Sequence, residues 1–553
     1  MVPQILLLIL WFGILVVLPG FPLLKVVRKG DRKEESSNPL SIDLQFLESL
    51  ALSCVLGLSI IGVIGDIFVA LEYFSTWVWL AFVVILYMPS LIVSALNDRK
   101  LIAFEALKIK HSILEMLSQV KRKIRFYLGL VAITCLSIFS KQTWLYTTST
   151  LIASDPWSYM FKIGALKHVF MLPQPFVYVY GISFESLLTL ILSSSWLDPI
   201  FVLRVFQSSI VQILSTLMMV LFLKRLGLGD GFTLLGCVLY LSGTEFAYDT
   251  KITHARGLGY FFSLVTLYAW SFLWSSPRGT ILVGFLAGAG ILYHPVWNLP
   301  FIPMLAAEIL LATWKAYKDG EWNSLRRALS ATMATALAYS SVGVRTLLFA
   351  LSYTRFQRLV VQPIATRMIE EKIALGIAGY IREWLMCTEI LNLGWIIFLF
   401  SFVGIFVLHR EGKGRYAIMY YVFLLFIGLV PYTHLLTTGS TDPFRFLQAL
   451  SLPEAIFAAV ALQYIWQYLK VRLDVEIPSR IHSVELHPVL SWVLFVLVFA
   501  SLLSSTMMIF PRNFAMERYA DSADLLNAIN FIKNDNSPDI EVRILTYPPS
   551  PTW

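Results

Sequence analysis

Long unbroken apolar runs separated by short basic linkers dominate this chain. Fourteen of them reach or approach the roughly twenty residues that a helix needs to cross a bilayer. They fall at about 4–24, 48–70, 74–96, 126–146, 200–223, 231–248, 257–274, 280–296, 298–316, 329–352, 390–408, 416–435, 446–467 and 489–510. The runs are continuous rather than alternating in ten-residue segments, so helices and not barrel strands are expected to span. The pattern predicts an all-α polytopic membrane protein with about 14 transmembrane helices.

Charge tests the alternation. Lys25, Arg28, Lys29, Arg32 and Lys33 follow the first run instead of preceding it. That order is wrong for a cleaved signal peptide and puts the N-terminus outside. If 25–47 is inner, the inner loops are 25–47, 97–125, 224–230, 275–279, 315–328, 409–415 and 468–488. Those loops hold 26 of the 43 Lys and Arg, and the short outer loops hold three: Lys251, Arg256 and Arg445. A multi-pass protein of the cell membrane with both termini extracytoplasmic follows from the positive-inside rule.

Composition agrees. The chain of 553 residues is 57% hydrophobic and only 14% charged, with a mean hydropathy of +0.71. That balance excludes soluble and disordered proteins. The net charge of +8 comes from topology-setting loops, so no nucleic-acid partner is expected. Cys54, Cys135, Cys237 and Cys387 lie far apart with no CxxC spacing; they read as buried small hydrophobes.

Three segments follow. Residues 1–125 form a three-helix membrane segment ending in a basic stretch (Lys108, Lys110, Lys121, Arg122, Lys123, Arg125) suited to the anionic inner leaflet. Residues 126–510 form a longer transmembrane module. Its first outer loop, 147–199, is long and partly apolar, and SFESLLTLILSSSWL predicts short helices along the outer membrane face. Residues 511–553 turn polar, with an amphipathic LLNAINFIKN and a strand-like VRILTY. This small α/β-like tail either packs on the outer loops or belongs to a truncated domain.

On this topology an unusual polar set converges outside. Asp155 stands in SDPWSYM, with Lys162, Lys167 and His168 after it. Asp249, Lys251, His254 and Arg256 fill YDTKITHARG, His294 ends a run in YHPVWN, and His434, Asp442 and Arg445 lie in PYTHLLTTGSTDPFRF. Each has a plain structural reading. Asp155 before Pro156 is a good helix cap, Arg445 can snorkel to headgroups, and Gly284, Gly288 and Gly290 let helices pack closely. GLGDG at 227–231 follows no strand and reads as a turn. Together, carboxylates, cations and imidazoles beside an apolar loop suit a lipid-linked phosphate. A carboxylate serves as base or metal ligand, a cation neutralises phosphate, and an apolar groove holds a polyprenyl tail.

The order of these features resembles the GT-C superfamily of integral-membrane glycosyltransferases. These include protein mannosyltransferases, aminoarabinose transferases and oligosaccharyltransferase catalytic subunits. The likeness runs over about 126–510. It is carried by TLIASDPWSYM, AYDTKITHARGLGYFFSLVTLYAW, GFLAGAGILYHPVWNLPFIPML and DPFRFLQALSLPEAIFAAVAL. It implies a GT-C-like core, transfer of a sugar from a polyprenyl- or dolichyl-phosphate carrier, and an acceptor glycan, lipid or protein at the outer face. It makes Asp155 the catalytic or metal-associated carboxylate and Asp249 its partner, the two as ligands of a divalent metal (Mg or Mn) or as positioners of the acceptor. Arg445 becomes the phosphate contact; His294, Lys251, His254, Arg256 and His434 are further substrate-binding candidates from their shared outer location alone. Pro156 stands where an acidic neighbour would pair with Asp155, Lys251 stands where a second ligand often occurs, and no WWDYG is present. A flippase of lipid-linked saccharides and a catalytically silent scaffold of the same fold are the alternatives. Arg204, Arg345 and Glu308 are the clearest membrane-embedded charges, too few and scattered to trace a transport path.

Sidedness is directly testable. Cysteines placed by Lys110→Cys and Lys167→Cys should label from opposite sides of the membrane, and labelling from one side would overturn the topology.

Overall fold

The computed structural model describes residues 2–28, 41–70, 75–85, 121, 123–142, 163, 183–195, 197–243, 255–352, 395–429 and 447–476. Among them every regular element is helical and no strand is present. In chain order the helices are α1 (Val2–Phe12), α2 (Leu18–Arg28), α3 (Ile42–Ala70), α4 (Ile124–Gln142), α5 (Ser183–Ser195), α6 (Pro199–Val205), α7 (Gln212–Arg225) and α8 (Asp230–Ser242). After these come α9 (Ala255–Leu273), α10 (Pro277–Tyr293), α11 (Pro295–Asn298), α12 (Phe301–Asp319), α13 (Trp322–Ser352), α14 (Trp395–Arg410), α15 (Arg415–Leu429) and α16 (Ser451–Glu476). One π turn joins α1 to α2 and another joins α6 to α7, so each pair runs on without a loop. The apolar run at 489–510 and the tail 511–553 lie outside the described residues.

Pro3–Phe21, Asp43–Phe68 and Pro199–Arg225 are long and apolar enough to cross a membrane by length and composition, and this is a helical membrane protein on that ground. Thr76–Ile85, Ile124–Ile138, Asp230–Ser242, Pro277–Tyr293, Ile396–Arg410 and Arg415–Ile427 are shorter apolar helices. Leu128, Val131, Leu136, Leu310, Leu337, Phe406 and Phe426 are exposed, as side chains facing lipid tails would be. Cys54 and Cys237 are buried as expected, but Cys135 is exposed, on the same helix as that apolar trio of α4.

Local chemistry sets the helix ends. Asp198 caps α6 by accepting from the Phe201 amide at 3.0 Å, with Pro199 at the first helical position. Ser276 caps α10 through the Gly279 amide at 2.9 Å, again with proline following. Gly320 closes α12 at φ +70°, a conformation glycine adopts without strain. The GLGDG segment is a turn between α7 and α8, tied by Lys224, which reaches the Leu228 carbonyl at 3.1 Å.

α9 is the central helix, with every residue from Gly257 to Trp270 buried. α10 meets α13 along a seam of small residues. A Cβ on Gly284 would overlap the Ala331 backbone, and one on Gly288 would press on Thr335 and Ala338. The Thr335 hydroxyl reaches the Gly284 carbonyl at 2.9 Å across the seam. The glycines of GFLAGAG therefore serve close packing, where dispersion contacts and interhelical hydrogen bonds replace the hydrophobic drive that lipid cannot supply. Gly57 meets Val16 in the same way, and Gly404 meets Phe457.

One expectation is corrected. The helix in SFESLLTLILSSSWL forms as α5, but Ser183 through Leu192 is buried and does not lie free along an outer face. Its polar face, with Glu185, Ser186 and Thr189, is enclosed as fully as its apolar face, and Gly62 of α3 makes room for Ser183.

Polar contacts gather the basic helix ends. Lys123 bonds Ser41 at 2.8 Å and Asp43 at 3.4 Å, and Tyr127 donates to the same Asp43 carboxylate. Arg225 lies 3.2 Å from Glu48 and 3.3 Å from the Tyr268 hydroxyl, which itself donates to Glu48. Gln463 accepts from the Gly229 amide at 2.8 Å, Arg327 donates to the Ser275 carbonyl at 2.9 Å, and Arg415 pairs with Glu308 at 2.5 Å. Exposed Trp314, Tyr317 and Trp322 lie beside Lys315 and Lys318, as in an interfacial aromatic belt. This is the basic end of the bundle. Glu308, expected as a membrane-embedded charge, is thus the partner of Arg415, and the side chains of Arg204 and Arg345 lie outside the described residues.

The Glu48–Arg225–Tyr268 cluster joins three helices at buried positions, so removing one member strands the others. Glu48→Ala should destabilise the protein by about 3–5 kcal/mol, the usual result of orphaning a buried charge. Adding Arg225→Met should recover a good part of that loss. Thermal unfolding in detergent reads both, and strictly additive effects would show that the pair is uncoupled.

Candidate functional site

The opposite end of the bundle is organised by the stop of α10. Pro295 cannot continue a helix and disfavours helical geometry in the residue before it. His294 accordingly turns extended (φ −160°, ψ 118°), while its amide still bonds the Gly290 carbonyl at 2.9 Å. The chain then makes the short α11, whose Asn298 folds back. The Asn298 amide donates to the carbonyls of Gly259 and His294, each at 3.2 Å. Gly290 leaves the space that Asn298 fills.

Trp297 is held from three sides. Its ring stacks on Tyr260 (centroids 4.4 Å apart, 24° between planes) and on His294 (5.8 Å, 26°). Its carbonyl accepts from Tyr420 at 2.8 Å and lies 2.9 Å from the Ser263 hydroxyl. Gly259 permits this approach, since a Cβ there would stand 2.7 Å from both His294 Cβ and Trp297 Cδ1. Arg256 sits one turn before Gly259 on the same face of α9, half-buried in the first turn. Arg256 and His294, two of the expected site residues, therefore flank one rigid corner built by α9, α10 and α11.

Asp155, Asp249, Lys251, His254, His434 and Arg445 lie outside the described residues, as do Lys162, Lys167, His168 and Asp442. The helix ends flanking them are described. α4 and α8 start at the basic end and finish at Gln142 and Ser242. α9 begins at Ala255, one turn from the His294 corner. α15 starts at Arg415, at the basic end, and finishes at Leu429. α16 starts at Ser451, which a Cβ on Gly243 would touch at 3.0 Å, and descends to Gln463 at the basic end. The chain thus enters and leaves each of these segments at the end that holds His294.

Besides Asp43 and Glu48 at the basic end, sequence reasoning missed three buried carboxylates. Asp66 in α3, Glu185 in α5 and Glu454 in α16 are enclosed. Asp66 was visible as the one acidic residue of IIGVIGDIFVA, an expensive place for a carboxylate without a role. Trp297 was also missed, because a tryptophan near a helix end usually signals packing alone. Among the described residues no three His, Cys, Asp or Glu side chains come together as a metal site.

No protein-family model matches this sequence, and no curated protein matches it. Among solved structures the chain is similar to the Archaeoglobus fulgidus oligosaccharyltransferase in its apo form, at 13% identity and a TM-score of 0.41, over 69% of this chain and 56% of that one.

Proposed function

We propose that this protein is a GT-C-like membrane glycosyltransferase that moves a sugar from a polyprenyl- or dolichyl-phosphate carrier to an acceptor at the extracytoplasmic face. The observation that carries the reading is the arrangement of helix ends around His294. The described helices that flank the segments holding Asp155, Asp249 and His434–Arg445 run away from the basic end, toward the end that carries Arg256 and His294. Three separate stretches of a membrane bundle supplying carboxylates and cations to one end would suit a reaction on a lipid-linked phosphate.

The chemistry assigned to these residues is a direct displacement. Asp155 takes the proton of an acceptor hydroxyl or amide as that atom attacks the anomeric carbon. The bond from that carbon to the phosphate oxygen breaks, and the electron pair leaves on the lipid phosphate. Arg445 donates two hydrogen bonds to that phosphate, which a planar guanidinium does better than an ammonium. Asp249 either positions the acceptor or shares a divalent metal with Asp155; two oxygen ligands suit Mg or Mn, and a metal there would neutralise the departing phosphate. His294, Lys251, His254, Arg256 and His434 supply the remaining donors.

A flippase of lipid-linked saccharides is the second reading; transporters place ionisable groups inside the bundle, away from its ends, whereas buried Asp66, Glu185 and Glu454 stand within about a turn of the ends of α3, α5 and α16.

Asp155→Asn should abolish glycan transfer in membranes with the protein still folded, and transfer that survives would remove Asp155 from the reaction. Chelation that stops wild-type transfer would make Asp155 a metal ligand; chelation without effect would leave it a base. Arg445→Lys should weaken donor binding far more than Asp442→Ala, whereas equal and mild effects would reduce the pair to a surface salt bridge. Transfer that proceeds in Asp155→Asn while Asp66→Asn stops lipid translocation would favour the flippase.

A further inference from the structure

Three cations surround one carboxylate at the basic end. Arg415, at the start of α15, pairs with Glu308 of α12 at 2.5 Å. Lys315, two turns further along α12, and Arg327 of α13 both lie near enough to act on the same carboxylate. Arg327 is engaged by the Ser275 carbonyl at 2.9 Å and the Ser324 hydroxyl at 3.3 Å. The other two are open. Lys315 is exposed and makes no hydrogen bond or ion pair among the described residues. Arg415 carries more donors than one carboxylate accepts, and its side chain stays 51% exposed beside the Tyr416 ring. The surplus continues around them, since residues 275–278, 315–327 and 409–415 hold eight Lys and Arg against three Asp and Glu.

Loop cations set topology in any membrane protein. What singles these out is the apolar surface that leads away from them. α12 ends at this end of the bundle and α15 begins here, so the two run antiparallel. On α12, Leu311, Lys315 and Lys318 share a face, and all three are exposed. On α15, Arg415, Met419, Val422 and Phe426 share a face, with Val422 and Phe426 exposed. Exposed Trp314 adjoins Lys315, as an indole at headgroup level does. Each helix thus carries its cation at the basic end and exposed apolar side chains behind it. That is the order of headgroup and tails in a phospholipid. A water-soluble phosphate would use the cations and leave the apolar stripe bare.

We infer that Lys315 and Arg415 hold the headgroup of an anionic phospholipid on the outside of the bundle, with its tails along the exposed faces of α12 and α15. The site lies at the end opposite the His294 corner and does not rest on the proposed transfer reaction. Both cations donate to phosphate oxygens, Arg415 through the N–H groups not turned to Glu308. Glu308 holds the guanidinium in place, so less ordering is left for the lipid to impose. The expected topology puts this end in the inner leaflet, whose lipids carry negative charge.

Native mass spectrometry of the full chain, released from detergent micelles, reads the binding directly. Phosphatidylglycerol and phosphatidylcholine of the same chain length are titrated in separately. Phosphatidylglycerol should bind roughly tenfold or more tightly, as two basic residues at an anionic headgroup imply. Lys315→Gln should weaken it about fivefold, the share of one such residue, with phosphatidylcholine binding and thermal stability unchanged. The double variant Glu308→Gln with Arg415→Gln, which strands neither charge, should weaken phosphatidylglycerol as well. Lys121→Gln removes the same charge from the same end of the bundle, just before α4, and should change nothing. Inorganic phosphate at fixed ionic strength should not displace the lipid, because the tails hold it too. Equal affinity for the two lipids, wild-type binding in either variant of the site, or displacement by inorganic phosphate would overturn the inference. So would a loss in Lys121→Gln as large as that in Lys315→Gln, which would reduce the site to the diffuse charge of the basic end.

Discussion

Burial of α9 on every side constrains the rest of the bundle. From Gly257 to Trp270 its residues are enclosed, so neither lipid nor water touches that stretch and each neighbour must supply a fitted surface. Aromatic rings do much of this. Tyr260 stacks on Trp297, Phe262 on Tyr293, and Trp270 on Phe301. Offset and edge contacts between such rings are directional as well as large. They fix rotation about the helix axis, which apolar burial by itself leaves loose. Once α9 is fixed in rotation, Gly259 faces His294 and Tyr268 faces Glu48, and the two ends of the bundle are set together.

The two ends then differ in kind. At the basic end, ionised groups find one another: Asp43 with Lys123, Glu48 with Arg225, Glu308 with Arg415. Such pairs anchor a bundle at a headgroup layer. At the histidine end, the described groups are imidazole, guanidinium, indole and amide together with the buried carboxylates Asp66, Glu185 and Glu454; Asn298 ties α11 to Gly259, and Ser263 bonds the Trp297 carbonyl. Satisfied buried hydrogen bonds of this kind fix the geometry of the corner between α9 and α11.

Much of this was legible in the sequence because bilayers impose simple rules. Apolar length, Lys and Arg asymmetry, and the glycines of GFLAGAG led to helices, to ends grouped by charge and to close packing of α10. The depth of α5 was not legible. SFESLLTLILSSSWL has the polarity of an interfacial helix, and only its packing against α3 shows that its serines and Glu185 are enclosed. Asp66, Glu185 and Glu454 were passed over for a related reason. Loops draw attention to their polar residues, whereas a lone carboxylate in an apolar run is easily read as part of the helix. Trp297 became informative only in the assembled corner, where Tyr260, His294 and Gly259 close on its ring.

The Glu48 cluster has a consequence for how the chain is made. Glu48 precedes Arg225 by 177 residues and Tyr268 by 220. While α3 enters the bilayer, the groups that will neutralise its carboxylate have not been synthesised. A bare carboxylate stays at the headgroup layer rather than in hydrocarbon, and the basic end is where Glu48 finally sits. The cluster is therefore completed by assembly and not by insertion, and until α7 and α9 arrive the start of α3 depends on water and headgroups for the contacts that Arg225 and Tyr268 later supply.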